Sequence, residues 1–433
     1  MNSFSEPFST LPHLLKWLLL GSAVAILSGS ASALLLISLD EATRLRRHWP
    51  WLCALLPCVG FVVGWIYLRI GQTVEGGNNL LIDEIHDPKK VIPLRMAPLI
   101  LGATVLSHLF GASVGREGTA VQMGGALADQ LTQACRLDDD DRRILLMAGI
   151  SAGFASVFGT PLAGAIFGLE VLAIGRLRYD AILPCITAAI VADQVGLLWG
   201  AQHTVYTVPF FPRLSLQVFA ALVVAGAAFG LTGKAFAEMT HALAGLLRRH
   251  IRYAPLRPFL GGALVAAASL YFAADRYIGL GIPTISAAFQ HPLPWYDFLG
   301  KFAFSVTSLG SGFKGGEVTP LFYIGATLGN ALAPLLHLPI PALAGIGFVA
   351  VFAGASNTPV ASTLMAMELF GAQAGVYAAV ACVISYLFSG HSGIYRSQRV
   401  GQGKHDALPE TLRLGELAGW RKARQKQAGE NGI

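Results

Sequence analysis

Gly115-Arg116-Glu117-Gly118-Thr119 and Gly315-Gly316-Glu317-Val318-Thr319 share the pattern G-x-E-x-T, and each interrupts long apolar sequence. Eight residues past each Glu stands Gly-Ala, at Gly125-Ala126 and Gly325-Ala326. A second pair follows in the same order: Thr160-Pro161-Leu162-Ala163 with Glu170, and Thr358-Pro359-Val360-Ala361 with Glu368, the Glu nine residues past the Pro in both. Two matches at nearly one offset indicate an internal duplication. The reading is two structural halves, residues 14–200 and 210–395. A cytoplasmic segment, 1–13, precedes them, and a short basic cytoplasmic tail, 396–433, follows with no appended regulatory domain.

Composition fixes the solvent of these halves. Of 433 residues, 54% are hydrophobic and 13% charged, with mean hydropathy +0.57, well outside the range of soluble domains. A bilayer-spanning helix needs roughly 20 apolar residues, and about a dozen charge-poor stretches suit that role, among them 17–39, 51–68, 144–169, 215–233 and 374–390. The stretches are continuous rather than alternating, which excludes a barrel porin, and the small-spaced Gly325-Ala-Thr-Leu-Gly329 suits close helix approach in lipid. The fold class is therefore an all-α polytopic membrane protein. The first apolar run lacks a basic preceding region and is too long for a signal peptide, so it is read as a retained helix.

The net charge of +6 does not point to nucleic acid. The Arg and Lys residues fall in loops and the tail, as at Arg44, Arg46, Arg47, then Arg248, Arg249, Arg252, Arg257, then Arg421, Lys422, Arg424, Lys426, and are read as positive-inside anchors. Cys53, Cys58, Cys135, Cys185 and Cys382 form no CxxC pair and are read as packing residues. No metal, no cofactor and no catalytic residue is expected.

Duplicated transporters often place a substrate site between their halves, on broken helices whose N-termini point at an anion. Both G-x-E-x-T segments carry helix-start chemistry: glycines, a Thr able to cap, a Glu in the first turn, and Pro320 just inside the second. Two such ends present free N–H groups and positive dipole to one anion. Charges at bilayer depth are costly and usually functional, which singles out Glu117, Glu317, Asp193 and the neighbours Arg116 and Lys314. Glu170 and Glu368 end apolar stretches and are read as structural, and Asp193 stays unassigned. An ionised carboxylate at an anion-binding helix end can occupy the site as a tethered anion; once protonated it must leave. Anion entry and proton uptake are then linked at one residue.

Gly115-Arg116-Glu117-Gly118, the Gly-Gly-x-x-x-Pro pattern at 315–320, Ala152-Gly153-Phe154 leading to Thr160-Pro161-Leu162-Ala163-Gly164, and Tyr395 together resemble the CLC family of anion channels and anion/proton exchangers. The resemblance implies a CLC-like fold of two inverted repeats and a homodimer with one pore per subunit. It also implies that Glu117 is the gating and proton-coupling residue. Gly115, Arg116, Gly118, Val318, Thr319, Phe322 and Tyr395 would then line the central anion site.

The departures narrow the reading. Chloride-handling members carry a Gly-Ser-Gly-x-Pro loop where this chain reads Gly76-Gly77-Asn78-Asn79-Leu80-Leu81, so the anion-holding Ser is replaced by Asn78 or Asn79. Many exchangers carry an inner proton-transfer Glu ten residues past the Pro of the Pro-Leu-Ala-Gly segment, and that position is Val171. With Glu317-Val318-Thr319-Pro320 in the second half, the set resembles the fluoride/proton antiporter branch. Fluoride is small and strongly hydrated, so its site needs strong donors. Asn amides, the Thr319 and Tyr395 hydroxyls, and protonated Glu117 or Glu317 can supply them. Glu317 is expected to be a second protonatable pore residue. The expected activity is fluoride export from the bacterial cytoplasm in exchange for inward protons, across the inner membrane. A chloride/proton exchanger and a passive anion channel stay open as alternatives.

Three patterns are set aside. Gly149-Ile-Ser151-Ala-Gly153 fits a nucleophile elbow but has no strand before it. Gly310-Ser-Gly312-Phe-Lys-Gly315 fits G-x-G-x-x-G without a dinucleotide-binding unit. Gly279-Leu-Gly281-Ile-Pro283 is the repeat mate of the Asn-Asn loop and is placed near a subunit interface. An intramembrane enzyme has no support, since neither HExxH nor a clustered His set occurs among the 11 His.

Overall fold

A computed structural model describes residues 10–406 and 408–430; most of the segment expected over 1–13 lies outside them. The first half holds eight helices: α1 (Leu11–His48), α2 (Leu56–Ile70), α3 (Asn78–His86), α4 (Met96–Leu109), α5 (Glu117–Ala134), α6 (Asp139–Phe158), α7 (Pro161–Glu170) and α8 (Ile182–Leu198). The second half repeats them in order as α9 (Leu216–His250), α10 (Leu256–Tyr271), α11 (Ile282–Ala288), α12 (Asp297–Ser311), α13 (Val318–Leu332), α14 (Ile340–Ser356), α15 (Pro359–Phe370) and α16 (Ala374–Phe388). A further helix, α17 (Leu417–Glu430), lies in the tail. The duplication read from two motifs thus extends to every helix of both halves.

Among the described residues, four segments are long and apolar enough to cross a bilayer, Leu11–His48, Pro50–Ile70, Tyr179–Leu198 and Leu216–His250. Most of the others are shorter than the roughly 20 residues a full crossing needs. Some begin inside the protein, as at the buried Glu117 and Val318, where non-helical backbone is tolerated because protein, not lipid, surrounds it.

The halves are inverted, and two carboxylates prove it. Glu170, at the C-terminal end of α7, accepts from Val360 N at 3.0 Å and Ala361 N at 2.8 Å, the first turn of α15. Glu368, near the end of α15, accepts from Leu162 N at 2.9 Å and Ala163 N at 2.8 Å, the first turn of α7. The equivalent helices α7 and α15 therefore lie side by side and antiparallel. Each carboxylate satisfies free N–H groups and meets the positive end of the facing dipole, which bears out the structural reading of both residues.

Close helix contact rests on glycine. A Cβ on Gly325 would stand 2.0 Å from Gly347 O, and one on Gly124 would stand 2.3 Å from Gly149 O, so α13 meets α14 as α5 meets α6. Gly149 and Ser151 lie in mid-helix α6, so the elbow-like pattern is helix packing.

The tail is not a free appendage. Arg399–Val400 pairs in parallel with Ala173–Ile174 of the first half, Gln398 is fully buried, and Arg399 and Arg413 reach Asp83 on α3. The basic composition of 396–433 hid this docking, because the charges pair while the backbone does the joining.

One group of arginines departs from the anchoring expectation. Lys16 pairs with Asp141 at the end of the molecule that carries the tail. Arg46, at the other end of α1, is buried and donates to His108 O. Arg44, Arg46 and Arg47, with Arg276, line a cavity of about 880 Å³ on the face opposite the tail. Gly281 lines this vestibule beside Ile278, Leu280 and Pro283. Arg46 and the buried Lys301 pack on Gly279, and Tyr323 packs on Gly281.

Candidate functional site at the paired helix ends

The segments before α5 and α13 meet as a two-residue antiparallel bridge: Gly115 N donates to Gly316 O at 2.6 Å, and Gly316 N to Gly115 O at 2.8 Å. A side chain could not fit here, since a Cβ on Gly316 would stand 2.7 Å from Gly118 N. The bridge brings the N-termini of both helices to one point.

Glu117 occupies that point and is 1% exposed. Its Oε2 accepts from Arg116 N at 3.1 Å and from Thr319 N at 3.1 Å, and its Oε1 accepts from the Thr319 hydroxyl. The Arg116 guanidinium stays 3.8 Å from Oε1 and its Nε finds no hydrogen-bond partner. The carboxylate therefore takes the N–H groups of two helix starts, one per half, which are donors suited to a free anion.

Neither Thr caps its own helix, contrary to the helix-start expectation. Both lie within the first turn, where the side chain points outward. Thr119 bonds Thr104 at 2.7 Å, and Thr319 serves Glu117.

The two asparagines separate. Both begin α3, after Gly77 in a positive-φ conformation of 57°, but neighbouring helical residues point about 100° apart. Asn78 Nδ2 lies 2.9 Å from where a Cβ on Gly118 would stand, beside the bridge. Asn79 turns away and accepts from Ser397 N at 2.9 Å, fixing the segment that carries Tyr395. Glu317 Oε2 lies 3.7 Å from the same Gly118 position. Glu317 Oε2 and Asn78 Oδ1 are both buried without a hydrogen-bond partner, and buried unpaired polar atoms call for an explanation.

Two cavities flank the bridge. The inner one is lined by Asn78, Ile82, Phe167, Val171 and Tyr395. Val171, where an inner carboxylate would stand, is 2% exposed among apolar neighbours. The outer cavity, about 30 Å³, is lined by Arg116, Glu117, His203, Tyr206, Thr319 and Phe322, and it shares Thr204 and Ile282 with the basic vestibule. Phe322 stacks on Phe348 with centroids 4.0 Å apart, and Val318 is buried as the first residue of α13. Lys314 lies over the Tyr67 ring at 4.1 Å, away from the anion-facing donors.

Support around the site was not legible beforehand. Asp129 accepts from Arg142 at 2.7 and 2.8 Å and from Ile92 N at 2.7 Å, while Glu84 takes Lys89 N and Lys90 N and a longer contact with Arg142 at 3.3 Å. This buried cluster ties α3, and with it Asn78, to α5 and α6.

The sequence profile described as Voltage gated chloride channel matches residues 59–390. The chain belongs to the voltage gated chloride channel family. Within that family it is 62% identical over 426 residues to the "Chloride/fluoride channel protein" of Pseudomonas syringae pv. tomato, covering 96% of this chain and 94% of that one. It is 26% identical over 399 residues to an "H(+)/Cl(-) exchange transporter ClcA" of Vibrio parahaemolyticus, covering 84% and 83% of the two chains. Among solved structures it is similar to a CLC-type fluoride/proton antiporter, with TM-score 0.86 and 35% identity, covering 89% of this chain and 98% of that one. A slow cyanobacterial Cl-/H+ antiporter shares the fold at TM-score 0.76 and 20% identity.

Proposed function

We propose that this protein is a fluoride/proton antiporter of the bacterial inner membrane, exporting fluoride in exchange for inward protons and working as a homodimer. The observation that carries the reading is the Glu117 carboxylate on the N–H groups of Arg116 and Thr319. Ionised, it fills the anion position; protonated, it loses the charge that the helix ends favour and gives way to fluoride. Each transit of the anion then requires a proton at Glu117.

Selectivity follows from the donor set. The Thr319 hydroxyl and N–H, the Asn78 amide and a protonated Glu317 are short, strong donors around the bridge, suited to a small, strongly hydrated anion. An ionised Glu317 would repel any anion, so Glu317 binds only with its proton and acts as a second protonatable pore residue. Val171 offers no proton path from the inner side, which leaves Glu117 and Glu317 to carry coupling. Gly115 and Gly118 admit the close backbone approach, Tyr395 closes the inner cavity, and Phe322 and Val318 wall the passage. Asn79 positions the Tyr395 segment in place of binding the ion. The likeness to a CLC-type fluoride/proton antiporter over nearly its whole length supports the reading.

Purified protein in liposomes loaded in turn with fluoride and chloride tests it. Fluoride efflux with faint chloride efflux supports the assignment. Chloride efflux equal to or above fluoride replaces it with chloride/proton exchange.

A further inference from the structure

Between Leu198 and Leu216 the chain crosses from one half to the other without a helix, and His203 in this stretch turns inward to the outer cavity. Its Nδ1 lies 3.2 Å from Val157 O. A carbonyl only accepts, so Nδ1 carries the hydrogen and the neutral ring keeps its lone pair on Nε2. Nε2 faces Asp193 Oδ1 at 3.8 Å, beyond hydrogen-bond range. Both atoms are buried without a hydrogen-bond partner, while the second oxygen of Asp193 accepts from Gln194 at 3.1 Å. A basic nitrogen and a carboxylate oxygen are thus held apart, facing each other, beside the cavity that Glu117 and Thr319 line.

The route from outside to Glu117 passes this pair. The basic vestibule opens into the outer cavity past Thr204, the residue after His203, and Ile282. Its wall carries four arginines against Asp40 and Asp275, a net positive lining that attracts anions and opposes hydronium, so protons reaching Glu117 need a local acceptor. Four ionisable groups bear on the imidazole from the elements packed around it. Burial first, and then Arg116 before α5, favour the neutral ring, while Asp193 on α8 favours the protonated one. Glu117 lines the same cavity, and Glu368 on α15 lies close enough to Asp193 to feel its charge. The ring therefore rests neutral and gives up a proton readily once it has taken one.

We propose that His203, oriented by Asp193, is the outer proton-transfer residue that delivers protons to Glu117. The inference rests on the antiport reading above. A proton from the vestibule adds to the lone pair of His203 Nε2, giving an imidazolium balanced by Asp193. That proton then passes to the Glu117 carboxylate, directly or through one water that the outer cavity is large enough to take. His203 returns to neutral and Glu117, now uncharged, releases the helix ends to fluoride. Asp193 is a positioning residue that keeps Nε2 basic and aimed.

Reconstituted H203Q, H203A and D193N test this through fluoride-driven proton uptake as external pH is varied. Gln can still donate to Val157 O but carries no titrating nitrogen. H203Q is expected to slow proton uptake at external pH 7 by at least about tenfold, the lower end of what a positioned acid or base contributes, with a flattened pH profile. D193N is expected to shift the profile to lower pH. External imidazole is expected to restore uptake to H203A and to leave H203Q unchanged. A wild-type rate and profile in H203Q, or an H203A that elutes as folded protein yet gains nothing from imidazole, overturns the proposal. Fluoride movement without protons in the unaltered protein would instead refute the antiport reading.

Discussion

The carboxylate of Glu117 lies 3.1 Å from the backbone N–H of Thr319, a residue of the other half of the chain. Neither half alone builds this site, because one repeat supplies the tethered anion with the Arg116 N–H and the other supplies the N–H and hydroxyl of Thr319. E117Q keeps the shape and abolishes the charge change. It is expected to leave fluoride movement that carries no protons, measured as fluoride efflux with external pH constant.

Thr319 gives Glu117 both an N–H and a hydroxyl. T319V keeps the first and removes the second. A hydrogen bond to a charged group is worth about 1.5 to 3 kcal/mol, so fluoride affinity is expected to weaken by about ten- to a hundredfold. Titration calorimetry with fluoride on T319V and on T319S reads the loss and its recovery.

Glu317 has a buried oxygen with no partner, beside Asn78. E317Q retains a donor but cannot titrate, and fluoride transport is expected to persist with fewer protons moved per ion. Unchanged coupling in E317Q removes Glu317 from the proton path.

Glu170 and Glu368 hold the two halves together by capping each other's helices. Replacing either by Ala leaves two N–H groups unpaired, at about 1 to 3 kcal/mol for each buried group; Gln keeps an acceptor and loses only the charge on the dipole, about 0.3 to 1 kcal/mol. Thermal unfolding in detergent is expected to rank wild type above Gln above Ala at both positions. Coupling is expected to survive E170Q, whereas a proton-carrying Glu170 would lose it.

The docked tail carries a pH dependence of its own. Burial, with His405, Lys404 and Arg421 nearby, pushes the His391 imidazole down from 6.5 to about 4. The folded tail thus favours the neutral ring, so this contribution is complete above pH 6.5 and is lost as pH falls toward 4. Hydrogen-exchange protection over residues 391–406, taken relative to the intrinsic rate at each pH, is expected to fall between pH 7 and pH 5, and H391Q to flatten that change.

The fold and Glu117 were legible because a duplicated chain prints its motifs twice, and a carboxylate between apolar runs stands out against lipid. The pairing of Glu170 with α15 and Glu368 with α7 was not, since each motif shows its own helix and the exchange of partners is tertiary. Asn78 and Asn79 read alike in sequence, and only the helical turn between them sends one to the bridge and the other to Ser397. His203 carried no signal at all: it stands alone in an irregular linker, and what marks it is the unpaired face of Asp193. Arg44, Arg46 and Arg47 read as membrane anchors because composition cannot tell which end of a helix faces a vestibule.

The most direct measurement is proton movement in liposomes that start with equal pH on both sides and a fluoride gradient directed outward. Antiport at Glu117 requires protons to enter against the gradient they build, driven by fluoride alone, and requires E117Q to abolish that uptake. Fluoride leaving the wild-type liposomes with no proton entry would mean that Glu117 gates a passive channel and does not couple the two ions.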